Sequence, residues 1–170
     1  KWGHKVTLLC ARFPGSKKKE NIKGVEVIRI GKKYTIYLIF PFYYLFKLRN
    51  KFDFVIDIEN GIPFFTPLYC FKPKLCIVHH IHTDVFSKEL PFFIAWLPKF
   101  LEGKLMPIIY KNVKFVAVSD STKKGMKKLG IKESNIKIIY NGIDHKVYKP
   151  GRKSRFPLIV YVGRLKAYKR

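Results

Sequence analysis

The sequence is poor in cysteine, which limits the kinds of site that it can build. Its 170 residues include three cysteines, Cys10, Cys70 and Cys76, and no two of them form a C-x-x-C pair. Disulfide scaffolds and zinc fingers need more thiols or closer spacing. The pattern therefore excludes both classes and favours a reducing, cytoplasmic compartment.

Acidic residues and long apolar runs are also scarce. The chain has 11 Asp and Glu residues against 35 Lys and Arg residues, which gives a net charge of +24. The longest apolar run, residues 34–46, contains Pro41 and is shorter than the roughly 20 residues that cross a bilayer. Because 48% of the residues are hydrophobic, the chain can still bury a core. The composition therefore excludes a disordered chain, and it predicts no membrane-spanning helix.

The positive charge is spread over the whole chain, with short lysine clusters at residues 17–19, 123–124 and 127–128. This distribution favours a solvated basic surface, with attraction to an anionic membrane face as an alternative. No helix-turn-helix, aromatic RNA-binding strand or metal finger is visible, so no nucleic-acid partner is expected. A basic surface would still favour a small ligand that carries phosphate.

Short apolar segments rich in Val, Ile, Phe and Tyr alternate with longer segments of helical character. Most of the short segments are continuous rather than alternating, which is typical of strands buried on both faces of a parallel sheet. The pattern predicts an α/β fold with a mostly parallel sheet flanked by helices. The predicted strands are residues 6–11, 25–30, 54–58, 75–78, 115–118, 136–140 and 158–162, and the predicted helices are residues 41–51, 91–110 and 122–129.

Three further features refine this organisation. Residues 34–39 closely follow the strand at residues 25–30, so a hairpin or edge strand is possible there. Ser119 or Asp120 is the predicted N-cap of the helix at residues 122–129, and Gly130 is expected just past its end. Residues 141–157, with two prolines and two glycines, have the composition of a linker. The predicted domain is residues 1–140, and residues 158–170 would begin a second one.

Polar residues follow several predicted strands at the edge where an open α/β sheet binds its ligands. The largest group is His79, His80, His82 and Asp84, directly after one strand. Ser119 follows the next strand at a helix N-terminus, which suits an anion but is equally explained by simple capping. Further candidates after predicted strands are Asn141 and Gly142, which could be only a tight turn, and Gly163, Arg164 and Lys169, which could hold a diphosphate.

A metal site is conceivable but is not the preferred interpretation. Neighbouring residues of an extended segment point to opposite sides, so only His80 and His82 can share a face. No cysteine or second histidine cluster completes a shell of ligands. Asp57 and Glu59 weakly resemble a metal-binding acidic pair, but the glycine and proline that follow indicate a loop shaping a cleft. We therefore expect Glu59 and Asn60 to line that cleft without a metal.

The strand-end motifs together resemble those of the family 4 glycosyltransferases, which have the GT-B fold. That family has a strand ending in V-S, a helix closing at L-G, a strand before N-G-x-D, and V-G-R-L with a lysine five residues after the arginine. The corresponding segments here are VAVSDSTKKGMKKLGIKESNIKIIYNGIDHKVYKP and LIVYVGRLKAYKR. DFVIDIENGIPFFTPLY and VHHIHTD are similar to one branch of the same family.

The resemblance implies transfer of a sugar from a nucleotide-sugar donor to a glycan or lipid-linked acceptor, usually with retention and without a metal or cofactor. Two Rossmann-like halves would face each other across the active site. By position, His82 matches the cleft histidine that contacts the transferring sugar. Arg164 and Lys169 match the pair that binds the donor diphosphate, with Gly163 beside them. The resemblance implies a cytoplasmic location, and a peripheral position at the inner membrane face would suit a lipid-linked acceptor.

The resemblance also implies that the family's first strand, glycine-rich loop and first helix should precede Lys1, and that most of a C-terminal half should follow Arg170. We therefore expect this chain to be a fragment that is inactive alone. The competing hypothesis is a non-catalytic basic domain that binds an anionic membrane or nucleic acid through its lysines and the aromatic segments at residues 36–46 and 91–101.

Overall fold

The computed structural model describes residues 3–163 of the chain. These residues group into two compact units. The first unit contains the chain up to Val55 together with Phe64–Lys74, and the second contains Ile56–Pro63 and the chain from Leu75 onward. The predicted boundaries at residues 140 and 157 stay predictions.

The first unit is built on a three-stranded sheet in the order β1-β3-β2, with β1 at Thr7–Ala11, β2 at Lys19–Ile22 and β3 at Val25–Ile30. β1 pairs with β3 in parallel, and β2 pairs with β3 antiparallel. Val27 and Ile30 of β3 are buried. The predicted strands at residues 6–11 and 25–30 are therefore confirmed, whereas β2 was not predicted because its sequence, KENI, is mostly polar.

The hairpin prediction was wrong about the partner of β3. Residues 34–39 do not form a strand, because helix α1 begins at Ile36 and runs to Tyr43. Both sides of β3 are already paired, by β1 and β2, so no hydrogen-bonding position is left for a further strand. The true hairpin turns at Lys23 and Gly24, which have φ angles of 52° and 89°, as two-residue turns between twisted strands require.

Helix α1 continues into a π-helical turn at Tyr44–Leu48. Pro41 lies inside α1 and lacks the N–H that a regular helix would use, and such irregular turns often accompany a proline. Tyr44, Leu48 and Cys70 form the core of this unit. The helix predicted at residues 41–51 therefore exists, but it begins five residues earlier.

The second unit is built on a four-stranded parallel sheet in the order β4-β5-β6-β7. Its strands are β4 at Val55–Glu59, β5 at Lys74–Val78, β6 at Lys114–Ala117 and β7 at Ile136–Ile138. Phe115, Val116 and Ala117 of β6 are buried, as expected for an inner strand covered on both faces. The predicted α/β class, with a mostly parallel sheet flanked by helices, is confirmed.

The two helical segments predicted for the second unit are present, and a further helix, at Thr83–Glu89, was not predicted. α2 occupies Thr83–Glu89, and the predicted helix at residues 91–110 consists of α3 at Phe92–Phe100, a π-helical turn at Leu101–Leu105 and α4 at Met106–Ile109. α5 occupies Asp120–Lys128. Its N-cap is Ser119, whose hydroxyl accepts the backbone N–H of Thr122 at 3.1 Å.

The strand predicted at residues 158–162 is not present. These residues have no regular structure and are exposed, like every residue from 141 to 163. A strand needs a neighbour that takes up its backbone N–H and C=O groups, and no strand of the described residues pairs with this segment. No described helix combines the length and the apolar character needed to cross a bilayer.

Candidate active site

The second unit places two of the predicted site segments, the histidine segment and Ser119, at one edge of its parallel sheet. β5, β6 and β7 run in the same direction, so the segments that follow them leave from the same edge. His79 to His82 follow β5, and Ser119 follows β6. The Thr122 hydroxyl donates to the carbonyl oxygen of His79 at 3.2 Å, which ties the start of α5 to the histidine segment.

His82 is the residue immediately before α2, and its ring is held by two neighbours. The ring of His80 meets it edge-on, with ring centroids 5.1 Å apart. The ring of Phe86, one turn into α2, lies 5.9 Å away. His82 is 20% exposed. The sequence-based expectation that His80 and His82 share a face agrees with this contact.

Glu102, in the π-helical turn, contacts His82 from inside the protein. Its side chain is completely buried. Its Oε1 accepts the backbone N–H of His82 at 2.7 Å and lies 3.7 Å from the ring Nδ1. The second distance is longer than a hydrogen bond, so the attraction between the ring and the carboxylate is electrostatic.

Glu59 completes a cluster of three side chains. It is also completely buried, and its Oε1 accepts the backbone N–H of Gly61 at 2.8 Å. Burial, and then the negative charges of Glu102 and Asp57, raise the pKa of Glu59 to about 9. Glu59 is therefore expected to be protonated at neutral pH, because ionisation would place another negative charge in a buried site.

The Glu59–His82–Glu102 cluster contains buried polar atoms that no hydrogen bond satisfies within the described part of the chain. These atoms are Glu59 Oε2, Glu102 Oε2 and His82 Nδ1. One ligand atom from each residue lies within 4.8 Å of the other two, a group that could hold a metal ion.

The other predicted site residues lie in more open positions. His80 is exposed as a residue, but its ring loses part of its hydration to the surrounding protein, and this desolvation, followed by the nearby His82, lowers the pKa of His80 from its usual value. Asn60, Asn141, Gly142 and Gly163 are exposed. Among the described residues, no hydrogen bond or ring contact joins Asn141, Gly142 or Gly163 to His82. Arg164 and Lys169 lie outside the described residues.

Sequence reasoning missed Glu102, although a signal was present. Glu102 is the single acidic residue in the helical stretch 91–110, in a chain that has only 11 acidic residues. A carboxylate in an apolar helix that packs on a sheet needs a buried partner. Sequence reasoning also missed the hydrogen bond from the Tyr110 hydroxyl to the carboxyl group of buried Asp57, which lies in β4 two residues before Glu59.

Two helices expose apolar side chains instead of burying them. On α3, Phe92 is 93% exposed, Phe93 79% and Trp96 64%, whereas Ala95 and Pro98 on the opposite side are buried. In the first unit, Leu38, Phe42 and Phe46 of α1 and its continuation are exposed at four-residue spacing. These are the two aromatic segments identified in the sequence, and each presents an apolar face.

The chain matches a family model described as Glycosyltransferase Family 4 over residues 1–147. No curated protein and no solved structure gives a significant match. The matched range contains the seven strands found in residues 3–163 and every member of the Glu59–His82–Glu102 cluster.

Proposed function

Because the chain belongs to glycosyltransferase family 4, we propose that the full-length protein transfers a sugar from a nucleotide-sugar donor to a glycan or lipid-linked acceptor. One observation carries this proposal beyond the family assignment. A histidine at the carboxyl end of a parallel sheet is fixed by a buried carboxylate and by two aromatic rings. Such a preorganised group suits contact with a reacting sugar, because it loses little entropy when the substrate binds.

His82 is the proposed catalytic residue. With Nδ1 buried against Glu102, the opposite ring nitrogen, Nε2, is the atom that can hydrogen-bond a sugar hydroxyl. His80, Ser119, Asn141, Gly142, Glu59 and Asn60 are proposed to shape the cleft around it. Glu59 is completely buried, so it would shape the cleft indirectly, by supporting His82 from the protein interior.

Arg164 and Lys169, together with Gly163, are proposed to bind the donor diphosphate. The leaving diphosphate gains negative charge as the glycosidic bond breaks, and fixed cations stabilise that charge in the transition state. We propose that these cations remove the need for a metal and that transfer proceeds with retention at the anomeric carbon.

A nucleoside diphosphate titration tests the proposed function. The transferase hypothesis predicts a saturable rise in the melting temperature of the protein, since a ligand that binds the native state stabilises it. Sugar transfer should then be detected with one member of a panel of nucleotide sugars. A non-catalytic basic domain would instead show steep salt dependence without nucleotide preference, and that result would contradict the proposal.

We expect Arg164→Lys to weaken nucleoside diphosphate binding by roughly 10-fold, because lysine cannot reproduce the planar two-pronged contact of a guanidinium with phosphate. Isothermal titration of the full-length protein measures the change. The matched control is Arg152→Lys, the same substitution at an exposed position in the preceding segment. Equal affinities for both variants and the wild type would rule out the role of Arg164.

We propose that the exposed face of α3 docks on an anionic membrane, which would place the enzyme beside a lipid-linked acceptor on the cytoplasmic face. Phe92, Phe93 and Trp96 form an apolar face, and α3 carries one lysine and no acidic residue. The net charge of +24 adds attraction to anionic lipid. Apolar side chains that insert at the interface and basic charge that attracts the headgroups together give reversible binding.

Vesicle flotation tests this docking. We expect the wild-type protein to float with phosphatidylcholine vesicles that contain phosphatidylglycerol, and Phe93→Ser combined with Trp96→Ser to weaken the binding by at least about 10-fold. Phe71→Ser is the matched control, because Phe71 is 89% exposed but lies away from α3 in the sequence. If the double variant and the control bind equally well, the α3 face is not the docking surface.

A further inference from the structure

The π-helical turn at Leu101–Leu105 places a fully buried carboxylate against the backbone and ring of His82. We propose that Glu102 is a positioning residue for His82. Its carboxylate would keep the proton of the neutral ring on Nδ1 and leave Nε2 as an acceptor for a sugar hydroxyl. The proposal rests on the role given above to His82.

The contact fixes the main chain of His82 first. The 2.7 Å hydrogen bond joins Oε1 of Glu102 to the backbone N–H of His82, a charge-assisted bond of the stronger kind. That N–H belongs to the residue before α2. The bond therefore fixes the backbone of the histidine segment at the sheet edge, and with it the Cα position from which the side chain of His82 extends.

The surroundings of Nδ1 then select the tautomer. Nδ1 is buried and has no hydrogen-bond partner among the described residues, and Oε1 of Glu102 lies 3.7 Å away. A neutral imidazole carries one proton, so one nitrogen is a donor and the other an acceptor. A lone pair on Nδ1 would face a carboxylate oxygen and be repelled. A proton on Nδ1 is attracted, and Nε2 is then the acceptor.

The local geometry lets Glu102 reach this position. Gly103 packs so closely against the start of α2 that an added Cβ would come within 3.1 Å of the Thr83 Cγ2. A π-helical turn inserts an extra residue into a helix and often occurs at a functional site. Glu102 follows buried Pro98 and Ala95 of α3 by four and seven residues, so it lies on the side of this helical segment that faces the protein interior, where it meets His82.

The cost of burying Glu102 also favours a functional role. A buried carboxylate loses its hydration, and an apolar side chain of similar size would often stabilise the fold at least as well. No Lys or Arg among the described residues forms an ion pair with Glu102, for which His82 is the one basic side chain within 4.0 Å. The carboxylate is thus placed specifically for the histidine.

Nitrogen-15 NMR of the imidazole rings tests the proposal directly. Uniformly labelled protein gives one pair of ring nitrogen shifts for each histidine, and His82→Gln identifies the pair of His82 by its loss. We expect the neutral ring of wild-type His82 to carry its proton on Nδ1. Glu102→Gln removes the negative charge, while the amide oxygen of glutamine can still accept the backbone N–H of His82. We expect the Nε2–H tautomer to become substantially populated.

Three results would overturn the proposal: an Nε2–H tautomer in the wild type, an unchanged tautomer in Glu102→Gln, or a tautomer that changes when the wild type is treated with EDTA. The last result would show that a metal ion occupies the cluster. Glu133→Gln, at an exposed position, is the matched control and should leave the His82 shifts unchanged. If Glu102→Gln does not fold, the tautomer of His82 in the wild type still tests the proposal, since an Nε2–H tautomer there contradicts it.

The kinetic arm uses the full-length protein. Glu102→Gln is expected to lower kcat by about 10-fold with little change in the KM for the donor, and Glu102→Asp, which keeps the charge, is expected to restore part of the loss. Equal activity of Glu102→Gln and the wild type would contradict the positioning role. Absence of any sugar transfer would instead contradict the proposed function, and the NMR result would stand independently.

Discussion

Replacing His82 with alanine is expected to lower the turnover of the full-length protein by about 10- to 100-fold, because a hydrogen bond to a charged or reacting group is lost. The side chain is 20% exposed and not part of the buried core, so the protein should remain folded. Initial rates at saturating donor concentration measure the effect, and circular dichroism confirms the fold.

His80→Ala is the control for this prediction. His80 has the same side chain, lies two residues away and contacts the ring of His82, but Glu102 does not accept its backbone N–H. We expect a smaller loss of turnover for His80→Ala than for His82→Ala. Near-wild-type turnover of both variants would refute the catalytic role of His82, whatever the donor sugar.

Glu59→Gln is expected to become more favourable to folding as the pH rises. The free energy of unfolding of the variant minus that of the wild type should be about 3 kcal/mol larger at pH 7 than at pH 4.5. Burial, and then the nearby charges of Glu102 and Asp57, raise the pKa of Glu59 from its ordinary value of 4.5 to about 9 in the folded state. Below pH 4.5 Glu59 is protonated in both the folded and the unfolded state, so its burial as an acid does not make stability depend on pH. As the pH rises from 4.5 towards 9, the unfolded state releases the proton and the fold does not, and the wild type loses stability.

Chemical denaturation of wild type and variant at several pH values between 4.5 and 9 measures this difference. Glutamine does not titrate, and its oxygen can still accept the Gly61 N–H that Glu59 Oε1 now accepts. Glu133→Gln is the control: Lys123 and Lys127 lower the pKa of Glu133 to about 2, so its contribution to stability changes only below pH 4.5, and the difference between wild type and this variant should stay constant from pH 4.5 to 9. A constant difference between wild type and Glu59→Gln across the pH range would show that Glu59 is ionised in the fold.

Local patterns predicted most of the second unit. The apolar runs that became β5, β6 and β7 were recognisable because each strand is short and largely apolar, and the chain between them has helical character. Ser119 and Gly130 bound α5 where the capping pattern placed them, with Gly130 at a φ of 91°. These signals are short in range, because a cap or a buried strand depends mainly on neighbouring residues.

The errors have a common origin in pairing partners that lie elsewhere in the chain. The mostly polar sequence of β2 becomes a strand because β3 offers it hydrogen bonds. The apolar residues 158–162 do not form a strand, because no described neighbour pairs with them. β-strand propensity describes how well a residue fits such a surface, and it does not say whether a partner is available.

The sequence by itself determined the α/β class, the strand ends that carry the histidines and the family resemblance through its spaced motifs. Only the tertiary structure decided that Glu102 lies against His82, 20 residues away, and that Tyr110 bonds to Asp57, 53 residues away. The physical reason is that periodicity shows which face of an element is apolar, whereas contact between two polar side chains depends on how those elements pack. The role of Glu102 in the site, and the complete burial of Glu59, therefore became visible only in the fold.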